Sequence, residues 1–182
     1  MSIDTEVVLH DKRFELFLTE KEIKNATEKL AKKINEDYHN DSVVIVGVLD
    51  GVFMVLADIL KKLKMSVSLE LIKMKSYQGL KSTGQVNKII GLTSDLKGQK
   101  VIVIEDIIDT GNTLATLLEE LSSLEPVSID IATLLLKPEV FKERFPIRYI
   151  GQEIPDRFVV GYGMDYDGEG RQLPNIYVLK ES

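Results

Sequence analysis

The 182-residue chain predicts an α/β fold, a central and mainly parallel sheet flanked by helices. Three observations carry this. The aliphatic runs VVIVGVL (43–49), VIVIE (101–105) and VSIDIATLLL (127–136) are too continuously apolar for strands with one wet face. Helix-like segments alternate with them along the chain. The two stretches richest in turn and charged residues, Leu49-Asp50-Gly51 and 105–113, fall at the carboxyl ends of such strands, where open α/β sheets bind ligands.

The elements follow in order. Thr19 suits a helix N-cap, with Glu22 three residues on as in a capping box, and Ile23, Leu30 and Ile34 recur at helical spacing through about residue 39. The strand 43–49 comes next, is broken by Asp50-Gly51, and gives way to a helix over 52–63. Residues 66–74 alternate like a strand, and 75–86 (KSYQGLKSTGQV) read as a polar loop or hairpin. A strand over 101–105, a helix over 112–124 and a strand over 127–136 complete the pattern. No internal repeat or linker interrupts it, so 1–182 is expected to be a single domain.

Composition narrows the function. The chain is 44% hydrophobic and 29% charged, ordinary for a soluble globular protein. A net charge of -6 argues against a general nucleic-acid surface. Without cysteine there is no disulfide, thiolate zinc site or cysteine nucleophile, which fits a cytoplasmic protein. No signal peptide or membrane-spanning apolar run is read in the sequence. His10 and His39 lie in no motif and read as surface residues.

The chemistry concentrates in VIVIEDIIDTGNTL (101–114). Asp109, Thr110, Gly111, Asn112 and Thr113 sit where a strand yields to a helix, so free backbone N–H groups, the helix dipole and two hydroxyls offer an anion site. Gly111 lets a phosphate approach the backbone. The GxxxxGK[ST] loop of nucleoside triphosphatases is absent, and the cradle suits a terminal phosphomonoester. Glu105 and Asp106 would repel that anion but suit vicinal hydroxyls or Mg²⁺. Because consecutive strand residues face opposite ways, both can serve only where the strand ends and twists. Together these features describe a phosphorylated ribose. The competing explanation is plain capping of a helix start by acids.

The string resembles the phosphoribosyl pyrophosphate signature of the type I phosphoribosyltransferases. KSY followed by STG resembles the mobile loop of their hypoxanthine-guanine branch, LLLKPEV its strand ending in a purine-contacting lysine, and 150–179 its base-binding segment. The resemblance spans about residues 5–180 and implies that branch's fold: a core over about 40–150, and a small hood from the N-terminal residues and about 151–182. It implies transfer of the phosphoribosyl group from phosphoribosyl pyrophosphate to hypoxanthine, with or without guanine, in a homodimer or homotetramer with Mg²⁺ as cofactor and no nucleic-acid or membrane partner.

Residue by residue, the resemblance gives Glu105 and Asp106 the ribose hydroxyls, directly or through Mg²⁺, and gives Asp109 the proton of the purine imidazole nitrogen. Residues Thr110, Gly111, Asn112 and Thr113 would hold the 5′-phosphate, although the family often has lysine at the position of Asn112. Lys137 would donate to the exocyclic oxygen at position 6, Phe158 would stack on the purine, and Val159 would offer backbone groups. Asp165 would be a second Mg²⁺ ligand beside the base and pyrophosphate, and Arg171 would bind pyrophosphate. Leu49 and Gly51 would form the pyrophosphate loop, in which related enzymes have a cis peptide. Many relatives carry Lys or Arg where this chain has Asp50, so no side-chain role passes to it. Ser76 and Tyr77 would belong to a loop covering the reaction centre.

Bland readings compete at several of these places: a solvated strand end for Lys137, a core strand for RFVVGY, and tight turns for Asp50-Gly51 and around Asp165. Two rival functions also stay open. One is another enzyme of this fold, using xanthine, adenine, a pyrimidine or orotate; Lys137 argues against adenine. The other is a phosphoribosyltransferase-fold regulator that binds nucleotide or RNA with little catalysis, against which stand Asp109, Lys137, Asp165, Arg171 and the acidic net charge.

Overall fold

The computed structural model describes residues 4–75, 87–142 and 145–180. Its main sheet has six strands: β3 (Ser42–Leu49), β4 (Ser66–Lys75), β5 (Asn87–Ile90), β6 (Lys100–Ile108), β7 (Ser128–Leu136) and β8 (Tyr149–Glu153), in the order β5-β4-β3-β6-β7-β8. All neighbours pair in parallel except β5, an antiparallel edge on β4. The helices are α1 (Glu20–Tyr38), α2 (Phe53–Leu60) and α3 (Asn112–Ser122).

The aliphatic strands are buried on both faces, as their composition requires. Along β3, Val43 and Ile45 belong to the core under α1 and α2, whereas Val44, Val46 and Val48 belong to the core under α3. The α3 helix seals its side with Leu114, Leu117 and Leu121, each worth about 1.5–3 kcal/mol of apolar burial. The α1 helix starts as the sequence predicts. Thr19 caps it, its hydroxyl accepting from the Glu22 N–H at 3.3 Å while Glu22 accepts from the Thr19 N–H at 2.8 Å. From β3 the chain passes through α2 to β4 on one side, and β6 lies on the other side of β3. That reversal opens a crevice between the carboxyl ends of β3 and β6.

Strand boundaries agree with the sequence reading to within a residue or so, except at β6. It was expected to end at Glu105 and instead runs to Ile108, because β7 continues to pair with it after β3 has left. Four further strands form a separate antiparallel sheet in the order β1-β2-β10-β9: β1 (Glu6–Leu9), β2 (Lys12–Leu18), β9 (Val159–Val160) and β10 (Ile176–Leu179). Leu9, Phe14, Val160 and Tyr177 form its own small core. Tyr162 and Met164 beyond β9 join the main core, and the Tyr162 hydroxyl donates to Asp58 of α2 at 2.6 Å. The small sheet thus sits as a hood over the carboxyl end of the main one. Residues 76–86, with Ser76 and Tyr77, lie outside the described residues. Among the described residues no helix is long and apolar enough to cross a membrane.

Candidate active site

A cavity of about 710 Å³ lies between the crevice and the hood. It is lined by the turn after β3, the end of β6, the start of α3, Lys137 beyond β7, and Phe158, Val159, Asp165 and Arg171 of the hood. Every residue singled out in the sequence is thereby brought to one place, apart from Ser76 and Tyr77.

The end of the cavity at α3 is built by backbone. Gly111 is the N-cap of α3 in the left-handed region, at φ 75°, and makes no side-chain cap; the Thr110 hydroxyl accepts only weakly from the Asn112 N–H, at 3.5 Å. The helix's N-terminal N–H groups and positive dipole end therefore face the cavity without an acidic neighbour in the first turn. A side chain at 111 would also strike the Phe141 ring, whose nearest atom lies 2.9 Å from where a Cβ would sit.

Glu105 and Asp106 both reach the cavity even though β6 continues past them. The ladder to β7 pairs Glu105 with Thr133 and Ile107 with Leu135 but skips Asp106, and β3 pairs only as far as Ile104. Asp106 can therefore project toward the turn after β3, where a Cβ on Gly51 would lie 1.7 Å from its Oδ2. Its Oδ1 accepts from the Ile107 N–H at 2.9 Å. Burial pushes the Glu105 carboxyl well above the ordinary range, with the charge of Asp106 adding to the effect. Burial likewise raises Asp106 to about 6, against the hydrogen bond from Ile107. Neither carboxylate is in an ion pair among the described residues, although the charge of Arg171 partly offsets the rise at Asp106, and two such desolvated acids are a costly arrangement that a bound ligand would relieve.

A second end of the cavity is built on Lys137. It is buried, not a solvated strand end, and its Nζ lies 2.6 Å from Asp109 and 3.4 Å from Asp156. Asp156 was not singled out in the sequence; only its place two residues before Phe158 could have signalled it. Phe158 exposes its ring, which stands edge-on to Tyr166 with centroids 6.0 Å apart and is tilted against Phe14. The Leu179 N–H donates to the Phe158 carbonyl, so Val159 occupies the next, non-hydrogen-bonded position of the β9–β10 ladder. Because β9 is an edge strand, the backbone groups of Val159 point to its free side.

The third end is formed by the turn after β3, which has a cis peptide between Leu49 and Asp50. Gly163 of the hood stacks on it: a Cβ there would lie 1.9 Å from the Gly51 carbonyl oxygen. Arg171 is clamped by Asp165 at 2.8 Å and by the Gly163 carbonyl at 2.8 Å. Asp50 lines the cavity with its charge paired. Both its oxygens accept from the Lys73 ammonium at 2.7 Å, and Arg171 stands 3.9 Å away.

Of the three acids expected to hold Mg²⁺, Asp165 is engaged by Arg171 and by the Gly168 N–H at 2.7 Å. Among the described residues no group of three or more acids or histidines forms a ready cation cage. His10 and His39 are exposed and lie outside the cavity.

This combination of a doubly covered parallel sheet, a bare helix start behind paired acids and a hood over both defines a class of nucleotide-forming transferases, the type I phosphoribosyltransferases. The chain belongs to the phosphoribosyl transferase domain family, whose model matches residues 17–167. It is 39% identical over 173 residues to the hypoxanthine-guanine phosphoribosyltransferase of Staphylococcus aureus, covering 94% of this chain and 97% of that one. Among solved structures, a hypoxanthine phosphoribosyltransferase from S. aureus superposes with a TM-score of 0.86 at 40% identity, over 91% of each chain. The enzyme from Trypanosoma cruzi gives 0.86 at 33% identity, over 96% of this chain and 95% of that one.

Proposed function

We propose that the chain transfers the 5-phosphoribosyl group from phosphoribosyl pyrophosphate to hypoxanthine, and to guanine, releasing pyrophosphate and the purine nucleotide. The observation that carries this reading is the buried Lys137 beside Asp109, in the same cavity as the uncapped start of α3. The names of its relatives support the choice of base.

In this reading the amides of 111–113 and the hydroxyls of Thr110 and Thr113 hold the 5′-phosphate, and Glu105 and Asp106 hold the ribose hydroxyls. Phe158 stacks on the base and Val159 meets its edge. The Lys137 ammonium has three N–H donors, so contacts to Asp109 and Asp156 leave one for an exocyclic oxygen at position 6. Adenine presents an amino group there and would meet a like donor. The purine nitrogen attacks the anomeric carbon, the bond from that carbon to pyrophosphate breaks, and Asp109 takes the imidazole proton. Ser76 and Tyr77 belong to the segment that would cover the site.

Glu105 or Asp106, and Asp165 across the cavity, are the residues that would hold Mg²⁺. So sparse a set fits a hard cation bound by one or two carboxylates plus substrate oxygens. Such an ion supplies neutralisation of the leaving pyrophosphate. The reading includes a cytoplasmic homo-oligomer.

A base-competition assay tests it. Purified protein, Mg²⁺ and phosphoribosyl pyrophosphate are incubated with hypoxanthine, guanine, xanthine, adenine and uracil together, and nucleotides are separated by chromatography. Inosine monophosphate, with or without guanosine monophosphate, and no adenosine monophosphate is the expected result. Dominant xanthosine monophosphate, or no nucleotide from a folded protein that binds phosphoribosyl pyrophosphate, would overturn it.

A further inference from the structure

Beside the pyrophosphate end of the cavity stands a charge that its assigned residues do not include, on a side chain that reaches the cavity only through Asp50. Arg171 is the cation expected there, yet Asp165 and the Gly163 carbonyl already occupy it. A second cation stands close by. Lys73 lies at the carboxyl end of β4, paired in register with Leu49, so strand geometry puts its side chain beside the turn after β3. Both Asp50 oxygens hold its ammonium at 2.7 Å, and its side chain remains 30% exposed. Asp50 itself lines the cavity and is 3.9 Å from Arg171. One carboxylate thus faces both cations at the place where a polyanion is to bind.

A carboxylate and a phosphate oxygen compete for the same ammonium donors. We infer that Lys73 is a further pyrophosphate-binding residue and that Asp50 is its positioning residue and internal competitor, holding the ammonium at the turn until pyrophosphate takes it over. This inference rests on the proposed phosphoribosyl transfer and deepens it. The Lys73–Asp50 pair sets how tightly the product pyrophosphate is retained, because the free enzyme regains that ion pair as pyrophosphate leaves. No bond is made or broken; an ion pair is exchanged.

The test is a calorimetric titration of wild type, D50N, K73M, K73R and D50N/K73M with magnesium pyrophosphate. KM for hypoxanthine and the thermal midpoint are measured alongside. D50N is expected to tighten pyrophosphate roughly five- to tenfold, and K73M to weaken it by a similar factor, as for a charge-assisted contact at a partly exposed site. K73R should restore most of the affinity. The double variant should bind pyrophosphate more weakly than D50N, since the ammonium that Asp50 positions is gone, and somewhat more tightly than K73M, since the carboxylate facing Arg171 is gone as well. KM for hypoxanthine should move less than twofold, which a general loss of structure would not allow.

Weaker pyrophosphate binding in D50N, or unchanged binding in a folded K73M, would overturn the inference while leaving the transfer reaction standing. A wild type that forms no nucleotide and binds no pyrophosphate would remove the functional reading and the inference with it.

Discussion

At the scale of single residues the site has carboxylates in two opposite settings. Asp109 is half exposed and ion-paired with Lys137, suited to taking a proton from a bound base. D109N should lower kcat by about 10²–10³ while KM for hypoxanthine changes only a few-fold; steady-state kinetics decide, and equal loss in both constants would remove the base assignment. Asp106 is the opposite case. In the folded chain its carboxyl stands at about 6 against an ordinary 3.8. The folded state therefore binds the proton more tightly than the unfolded one, and ionisation costs stability as pH rises through that window. D106N keeps an oxygen for the Ile107 N–H and removes the charge. It should stabilise the ligand-free protein at pH 7.5 by on the order of 2–3 kcal/mol, with the gain vanishing below about pH 4. Thermal melts in chelator across that pH range would show it, and a gain independent of pH would refute it. The same variant should bind phosphoribosyl pyrophosphate poorly, a stability–function exchange common at binding sites.

At the scale of elements, the pivotal piece is the entry to α3. Gly111 combines a positive φ with a close Phe141 ring, so G111A faces both a left-handed strain of about 1–2 kcal/mol and a steric collision. Relaxation would turn the first N–H groups of α3 away from the phosphate. A rise of at least tenfold in the dissociation constant for phosphoribosyl pyrophosphate is expected by titration, with affinity for free purine little changed. This element was legible in the sequence because local chemistry favours it: a short aliphatic run bounded by turn residues suits a buried strand, and T-G-N-T after it suits a helix start with free N–H groups. Thr19 and Glu22 were legible for the same reason. The continuation of β6 to Ile108 was not, since it depends on β7 pairing beyond the point where β3 departs. Nor were the short strands β1, β2, β8 and β10, whereas β9 lies in RFVVGY, for which a core strand was one reading. Strand β2, for instance, depends on a partner far away in sequence, pairing Phe14 with Leu179. The ion pairs Asp50–Lys73 and Lys137–Asp156 escaped for that reason too.

At the scale of the whole molecule, two sheets of different kind share one cavity and one apolar core, Leu18, Val159, Ile176 and Val178 of the small sheet packing into the cluster under α1 and α2. Tyr162 reaches Asp58 of α2, Asn175 accepts from the Glu20 N–H at 2.8 Å, and Gly163 lies directly on the Gly51 carbonyl. Gly163 also has φ 101°, so G163A would combine backbone strain with a collision against main chain. It should cost about 2–4 kcal/mol and raise KM for phosphoribosyl pyrophosphate more than KM for hypoxanthine. Denaturant unfolding and steady-state kinetics measure the two effects. Unaltered kinetics would show that the hood is not held in register through this contact.

That stacked pair of glycines has a consequence for how such an enzyme can diverge. Leu49 is committed to the core, Gly51 has no room for a side chain beside Asp106, and Gly163 has none above Gly51. Position 50 is the one place in the turn where a mutation can alter chemistry without disturbing shape. A lineage needing faster or slower turnover could adjust it there with one codon, leaving the rest of the architecture untouched.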